Sequence, residues 1–129
     1  MKTIILLDLN YTLVSNSEKK KAPFIKQIEG EEYRKELIEL VRPHTVLLIT
    51  ARPIKYEVST IESLRTKTGW TPQFTAFNKY NLAPHLFKKK IVTEQIQIKF
   101  QDVVLIAIES NPKTIAEYKK LGILCLSVQ

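Results

Sequence analysis

The chain has 129 residues, 44% hydrophobic and 26% charged, with a formal net charge of +7. That length suits one domain burying about two-thirds of its unfolded surface, and no stretch approaches the roughly 20 apolar residues of a membrane span. A lone cysteine, Cys125, excludes an intrachain disulfide and a cysteine-based zinc site, while the basic balance favours polyanions such as a nucleotide, a nucleic acid or another phosphorylated ligand.

Met1-Lys2-Thr3 and the apolar residues 4–7 imitate the start of a signal peptide. Asp8 and Asn10 interrupt the run too early, however, and no small-residue cleavage site follows. Residues 4–7 (Ile-Ile-Leu-Leu) instead predict a strand buried on both faces of a parallel sheet. Asp8 then sits at the strand's C-terminal edge, where open α/β sheets bind their ligands. An ionised carboxylate beside four aliphatic residues is costly unless a metal or hydrogen bonds compensate it, which makes Asp8 a candidate working residue. Residues 15–29 are polar, carry Lys19-Lys20-Lys21, and read as a flap with little core of its own. Apolar residues at Tyr33, Leu37, Leu40 and Val41 predict a helix over 31–40, ended by Arg42-Pro43.

A second strand is predicted over 45–50, its last residue the hydroxyl-bearing Thr50. Arg52, just past that strand end, is placed either to grip a phosphate with two donors or to face solvent. An amphipathic helix over 54–68 stops at Gly69. Trp70-Thr71-Pro72 forms a turn, 74–77 a short edge strand and 78–84 a loop, with Trp70 and Phe74 read as core. The next helix is predicted over 87–100, with Lys88-Lys89-Lys90 crowding its first turn against the helix dipole, as befits a nearby anion. Lys88 shares the i+4 row of Val92 and Ile96 and faces the sheet; Lys90 is the alternative. Residues 103–108 are a second apolar run ending in a carboxylate, Glu109. Asn111-Pro112 opens a helix running to Gly122, and 123–128 is the last strand. Cys125, between Leu124 and Leu126, reads as a buried, inert thiol in a reducing, cytoplasmic compartment. Asp8 and Glu109 together supply the convergent hard oxygen ligands that a divalent cation needs.

In this order the residues resemble the four motifs of the haloacid dehalogenase (HAD) superfamily of phosphotransferases. Asp8-Leu9-Asn10-Tyr11-Thr12 after an apolar strand is similar to motif I, usually Asp-x-Asp-x-Thr. Thr50 matches motif II, a lysine within 88–90 motif III, and Glu109-Ser110 the acidic motif IV. The resemblance implies an α/β, Rossmann-like three-layer sandwich with a parallel five-stranded sheet, as one domain over 1–129 with a minimal cap at 15–30. It implies Asp8 as the nucleophile that becomes an aspartyl phosphate. Thr50 and Lys88 would hold the phosphoryl group, with Arg52 and Lys90 as further phosphate-binding candidates. Mg²⁺ would be held by Asp8, the Asn10 carbonyl and Glu109.

Two departures stand out. Asn10 replaces the family's general acid/base Asp, and Ser110 the frequent second acid of motif IV. Asn10 cannot donate a proton, and such help is worth roughly 10²–10⁴-fold. Two functions follow. One is a Mg²⁺-dependent phosphohydrolase acting on a nucleotide or nucleic-acid phosphate end; the other is a catalytically impaired HAD-like domain that binds a phosphorylated ligand without turnover. Thr50-Ala51-Arg52, the turn at 69–72 and the terminal run 121–128 are also similar to the 3′-phosphatase domain of phage polynucleotide kinase/phosphatases, although both acidic pairs of that family are incomplete here. The expected partner is a phosphorylated small molecule or a nucleic-acid end, met by a monomer.

Overall fold

Strands β1 (Lys2–Leu7), β2 (Thr45–Pro53), β3 (Phe74–Asn78), β4 (Val103–Glu109) and β5 (Leu124–Ser127) pair in one all-parallel sheet, in the order β3-β2-β1-β4-β5. The structure is a computed structural model and describes residues 2–128. Six α-helices lie among those residues: α1 (Phe24–Glu29), α2 (Lys35–Val41), α3 (Glu57–Thr68), α4 (Pro84–Ile91), the short α5 (Gln97–Lys99) and α6 (Pro112–Lys120).

The unbroken apolar runs become central strands because both faces of the sheet are covered. Ile5, Leu7, Val46, Leu48 and Ile108 pack on one face with Leu37, Ile38 and Val41 of α2 and Leu64 of α3. Ile4, Leu6, Leu47, Ile49 and Ala107 pack on the other with Phe87 and Ile91 of α4 and Tyr118 of α6. The Rossmann-like three-layer sandwich anticipated from the sequence is therefore the fold. Each fully buried aliphatic side chain contributes about 1.5–3 kcal/mol. The chain builds β1, β2 and β3 toward one edge, then crosses back to add β4 on the other side of β1. That reversal opens a crevice beyond the C-terminal ends of β1 and β4. Leu7 lies opposite Ile108 in register, and the Asp8 N–H donates to the Ile108 carbonyl at 3.0 Å. Asp8 and Glu109 consequently leave the sheet side by side.

Several local expectations change. The flap contains a helix, α1, whose Ile28 is buried. Residues 31–34 are not helical: Tyr33 forms an antiparallel bridge to Val14, so the helix starts at Lys35. Strand β2 continues through Pro53, which puts Arg52 inside the strand rather than beyond it. Helix α4 begins at Pro84, because proline at a first helical position gives up an N–H that has no intrahelical partner anyway. Lys88 to Lys90 therefore lie beyond its first turn, and the conflict with the helix dipole inferred from the sequence does not arise. From Ile91 the helix continues through a π-helical stretch, Val92–Ile96, into α5. At the sheet edge Leu124 and Leu126 are exposed and Cys125 is only half-buried, so its thiol is not the fully enclosed group expected. Among the described residues no helix is long and apolar enough to cross a membrane.

Candidate active site

A cavity of about 660 Å³ opens over the ends of β1, β2 and β4, lined by Asp8, Asn10, Thr50, Lys88, Glu109 and Ser110, among others. On its floor the Lys88 Nζ donates to Asp8 Oδ1 and to Glu109 Oε1, at 2.6 Å each. Lys88 reaches this point from the sheet-facing row of α4, buried like Ile91 and Val92 beside it. The backbone after β1 makes one wide turn, Leu9–Leu13, closed by the Val14 N–H donating to the Leu9 carbonyl at 2.9 Å. The turn returns Thr12 over Asp8, so that Thr12 Oγ1 donates to Asp8 Oδ2 at 2.6 Å. Ser110 Oγ donates to the same oxygen at 3.3 Å. Glu109 Oε2 accepts from the backbone N–H groups of Ser110 and Asn111, at 3.0 and 3.2 Å. Thr50 Oγ1 accepts from the Arg52 N–H at 3.1 Å, which leaves the hydroxyl proton to donate into the cavity.

Burial alone pushes the Asp8 carboxyl up, but the Lys88 ammonium and the surrounding hydrogen bonds outweigh it and hold Asp8 below the ordinary carboxylate range. Glu109 moves the opposite way. Burial dominates there despite Lys88, the Asp8 charge adds to it, and the carboxyl is pushed up to about 7. Burial disfavours the Lys88 ammonium, yet its two carboxylate partners hold its pKa above the usual lysine value. With both acids ionised, one ammonium between two carboxylates leaves an excess of one negative charge. Such a floor repels a phosphate until a cation or a proton is added.

The donor set fits Mg²⁺. This ion takes one or two carboxylates, keeps several waters and completes its shell with substrate phosphate oxygens. Asp8 and Glu109 supply the carboxylates and the charge excess, and Asn10 lines the same wall. Among the described residues no group of three His, Cys, Asp or Glu side chains converges. Protein ligation would therefore rest on these two acids and the Asn10 carbonyl.

Arg52 does not line the cavity. Its guanidinium is buried on the α1 and α3 side of the sheet. There Nη1 donates to Glu31 Oε1 at 3.0 Å and to Thr60 Oγ1 at 2.9 Å, and Nη2 donates to Glu31 Oε2 at 2.5 Å. Nη2 also donates to Asn10 Oδ1 at 2.7 Å, and the group lies 4.9 Å from the centre of the Phe24 ring. Neither expected placement of Arg52, beside a phosphate or facing solvent, is where it sits: a buried carboxylate 21 residues earlier in the chain takes its donors. The arrangement has a consequence for Asn10: with Oδ1 accepting from Arg52, its Nδ2 is the end left to donate. Lys90 pairs with Glu94 at 3.0 Å and lies over the Tyr80 ring. Lys89 pairs with Glu117 at 3.7 Å. Of these three lysines, Lys88 alone lines the cavity.

The fold is shared with chains of an RNA repair complex. One chain in the structure of the Pnkp1/Rnl/Hen1 RNA repair complex matches with a TM-score of 0.81 at 17% identity, over 99% of this chain and 42% of that one. A chain in a second structure, of the Pnkp1/Rnl/Hen1 complex, matches with a TM-score of 0.77 at 13% identity, over 99% and 46%. The chain thus spans less than half the length of these neighbours. At such identities the likeness establishes the fold alone. No protein family and no curated protein matches the sequence.

Among the other lining residues are Tyr11, Glu18 and Arg34, to which the sequence assigns no role. Arg34 donates through Nε to the Thr12 carbonyl at 2.8 Å and is held at the rim by the Val14–Tyr33 bridge beside it. The helical reading of 31–40 hid it, since residues 31–34 instead lead through the Tyr33 bridge to Val14. Tyr11 carried one signal: it occupies the variable position between Asn10 and Thr12 of motif I.

Proposed function

We propose that the chain is a Mg²⁺-dependent phosphohydrolase of the HAD type, which cleaves the phosphate of a nucleotide or nucleic-acid end through an aspartyl phosphate on Asp8. The observation that carries this reading is the shared ammonium. Two strand-end carboxylates, Asp8 and Glu109, meet on Lys88 at the floor of a cavity over the sheet's reversal point.

Lys88 and Thr12 keep Asp8 ionised and fix its orientation, as a carboxylate nucleophile requires. Its oxygen forms the new bond to phosphorus while the bond to the leaving oxygen breaks, and water then hydrolyses the acyl phosphate. The Thr50 hydroxyl, the Lys88 ammonium and the Asn10 Nδ2 are the donors available to the phosphoryl oxygens. Mg²⁺, when held by Asp8, the Asn10 carbonyl and Glu109, supplies positive charge to those oxygens. Asn10 offers no proton to the leaving group, so the rate is lower by roughly 10²–10⁴-fold for alkoxide leaving groups. Acidic leaving groups suffer less. The net charge of +7 and the presence of the same fold in RNA repair chains favour a polyanionic substrate.

The deciding experiment measures phosphate release from p-nitrophenyl phosphate, nucleoside monophosphates and 3′-phosphorylated oligonucleotides, with Mg²⁺ or with EDTA, using Asp8→Asn as control. Release that requires both Mg²⁺ and Asp8 is expected. A second reading is favoured by one contact, the Arg52 donor on Asn10 Oδ1, which turns the amide into a fixed hydrogen-bond donor. On that reading the domain binds a phosphorylated ligand and does not turn it over. Micromolar binding with no release in any arm would select it.

A further inference from the structure

The turn Leu9–Leu13 presents a side chain that phosphoryl chemistry does not use. Tyr11 adopts φ +61°, a left-handed conformation uncommon for a residue with a bulky side chain. Such a conformation costs about 1–3 kcal/mol and persists where the surroundings enforce it. Here the Tyr11 N–H donates to Ser17 Oγ at 2.7 Å, and Ser17 is itself buried in the flap. The strain gains no packing in return, because Tyr11 stays 49% exposed. Tyr11 instead lines the cavity, one residue from Asn10, with the Lys20 Nζ 4.8 Å from the centre of its ring.

We propose that the Tyr11 ring is a stacking platform for the nucleobase whose phosphate enters the cavity. This rests on the phosphate-binding reading above and adds the recognition element. Aromatic stacking is worth about 1–3 kcal/mol per base and tolerates any base, since every base has a π-face. Lys20 covers one face of the ring and places a cation beside the ligand's sugar-phosphate, leaving the other face to the base. The cavity, about 660 Å³, has room for a nucleoside phosphate. The ligand class is therefore a nucleoside phosphate of either purine or pyrimidine type, free or at the end of a polynucleotide.

The test compares two non-hydrolysable ligands on the full chain: methylphosphonate, and a ribonucleoside phosphonate carrying the fluorescent base 2-aminopurine. Two variants are used. Tyr11→Asn removes the ring with a residue that accepts left-handed backbone, and Tyr11→Phe keeps the ring. Wild type is expected to bind the nucleoside phosphonate roughly 5- to 150-fold more tightly than methylphosphonate, the ratio that corresponds to 1–3 kcal/mol, and to quench its fluorescence. Tyr11→Asn should lose both the preference and the quenching, and Tyr11→Phe should keep both. A dinucleotide with the same terminal phosphonate separates the sources: equal affinity supports a platform for polynucleotide ends, and tenfold weaker binding supports one for free nucleotides. Equal affinity of wild type for the two small phosphonates would overturn the platform while leaving phosphate binding intact, as would quenching that survives in Tyr11→Asn. Failure to bind either phosphonate would overturn both readings.

Discussion

Glu31→Gln isolates the charge that holds the flap to the sheet. Glu31 and Arg52 are both buried, their two contacts measure 3.0 and 2.5 Å, and Arg52 Nε already lacks a partner. The substitution keeps the shape and one acceptor while leaving a guanidinium with no counter-ion. Orphaning one member of a buried pair costs about 3–5 kcal/mol. Contacts with Thr60, Asn10 and the Phe24 ring persist in the variant, so a loss at the lower end of that range, about 3 kcal/mol, is expected. In urea, with a slope of about 2 kcal/mol per molar for a domain of this size, the midpoint should fall by roughly 1.5 M. Replacing both partners by apolar residues, Glu31→Leu with Arg52→Met, should recover stability to within about 1 kcal/mol of wild type. A single-variant loss below about 1 kcal/mol, or a double variant as unstable as the single, would refute the account of a dry, charge-compensated contact.

Three further outcomes are expected. Lys88→Met leaves Asp8 and Glu109 without their shared cation, which raises both carboxyl pKa values; its stability deficit should therefore widen as pH rises from about 5 to 8, and a deficit independent of pH would contradict the bridge. In wild type, Glu109 is pushed up from 4.5 to about 7, so the native state holds an extra proton between those values. Its contribution is fully present below pH 4.5 and lost as pH rises through 7, at most about 3 kcal/mol; urea midpoints at pH 5 and 8 should show this slope, and Glu109→Gln should abolish it. Asn10→Asp restores a carboxyl beside the leaving group and should accelerate phosphate release at least tenfold; an unchanged rate would show that position 10 does not limit the reaction.

The site residues readable from sequence are those that terminate apolar runs. Asp8, Thr50 and Glu109 each close an apolar run, and a parallel sheet sets such positions toward one edge. Lys88 was legible because its i+4 row contains Val92 and Ile96, which point the same way into the protein. Arg52 misled for a complementary reason. Its neighbours in sequence describe a strand end, while its partner Glu31 lies far up the chain, in a segment whose period suggested helix. Ion pairing at such separation leaves no local trace. Pro84 closes a polar stretch in the sequence yet is the first residue of α4, and this earlier start removes the clash of three lysines with the dipole. Helix α1, six residues long, is too short for a helical period to show among the flap lysines. Tyr11 and Arg34 belong to a turn and a bridge, where neither the 3.6 nor the 2.0 period applies.

The hydrogen bond from the Asp8 N–H to the Ile108 carbonyl joins the first strand of the chain to its fourth. A ribosome that has not yet delivered Val103–Glu109 has released a polypeptide with one of the cavity's two paired carboxylates. Occupancy of the cavity would therefore be linked to assembly of the domain as a whole: a ligand present at a hundred times its Kd would protect the entire fold by about 2.7 kcal/mol, the helices remote from it included.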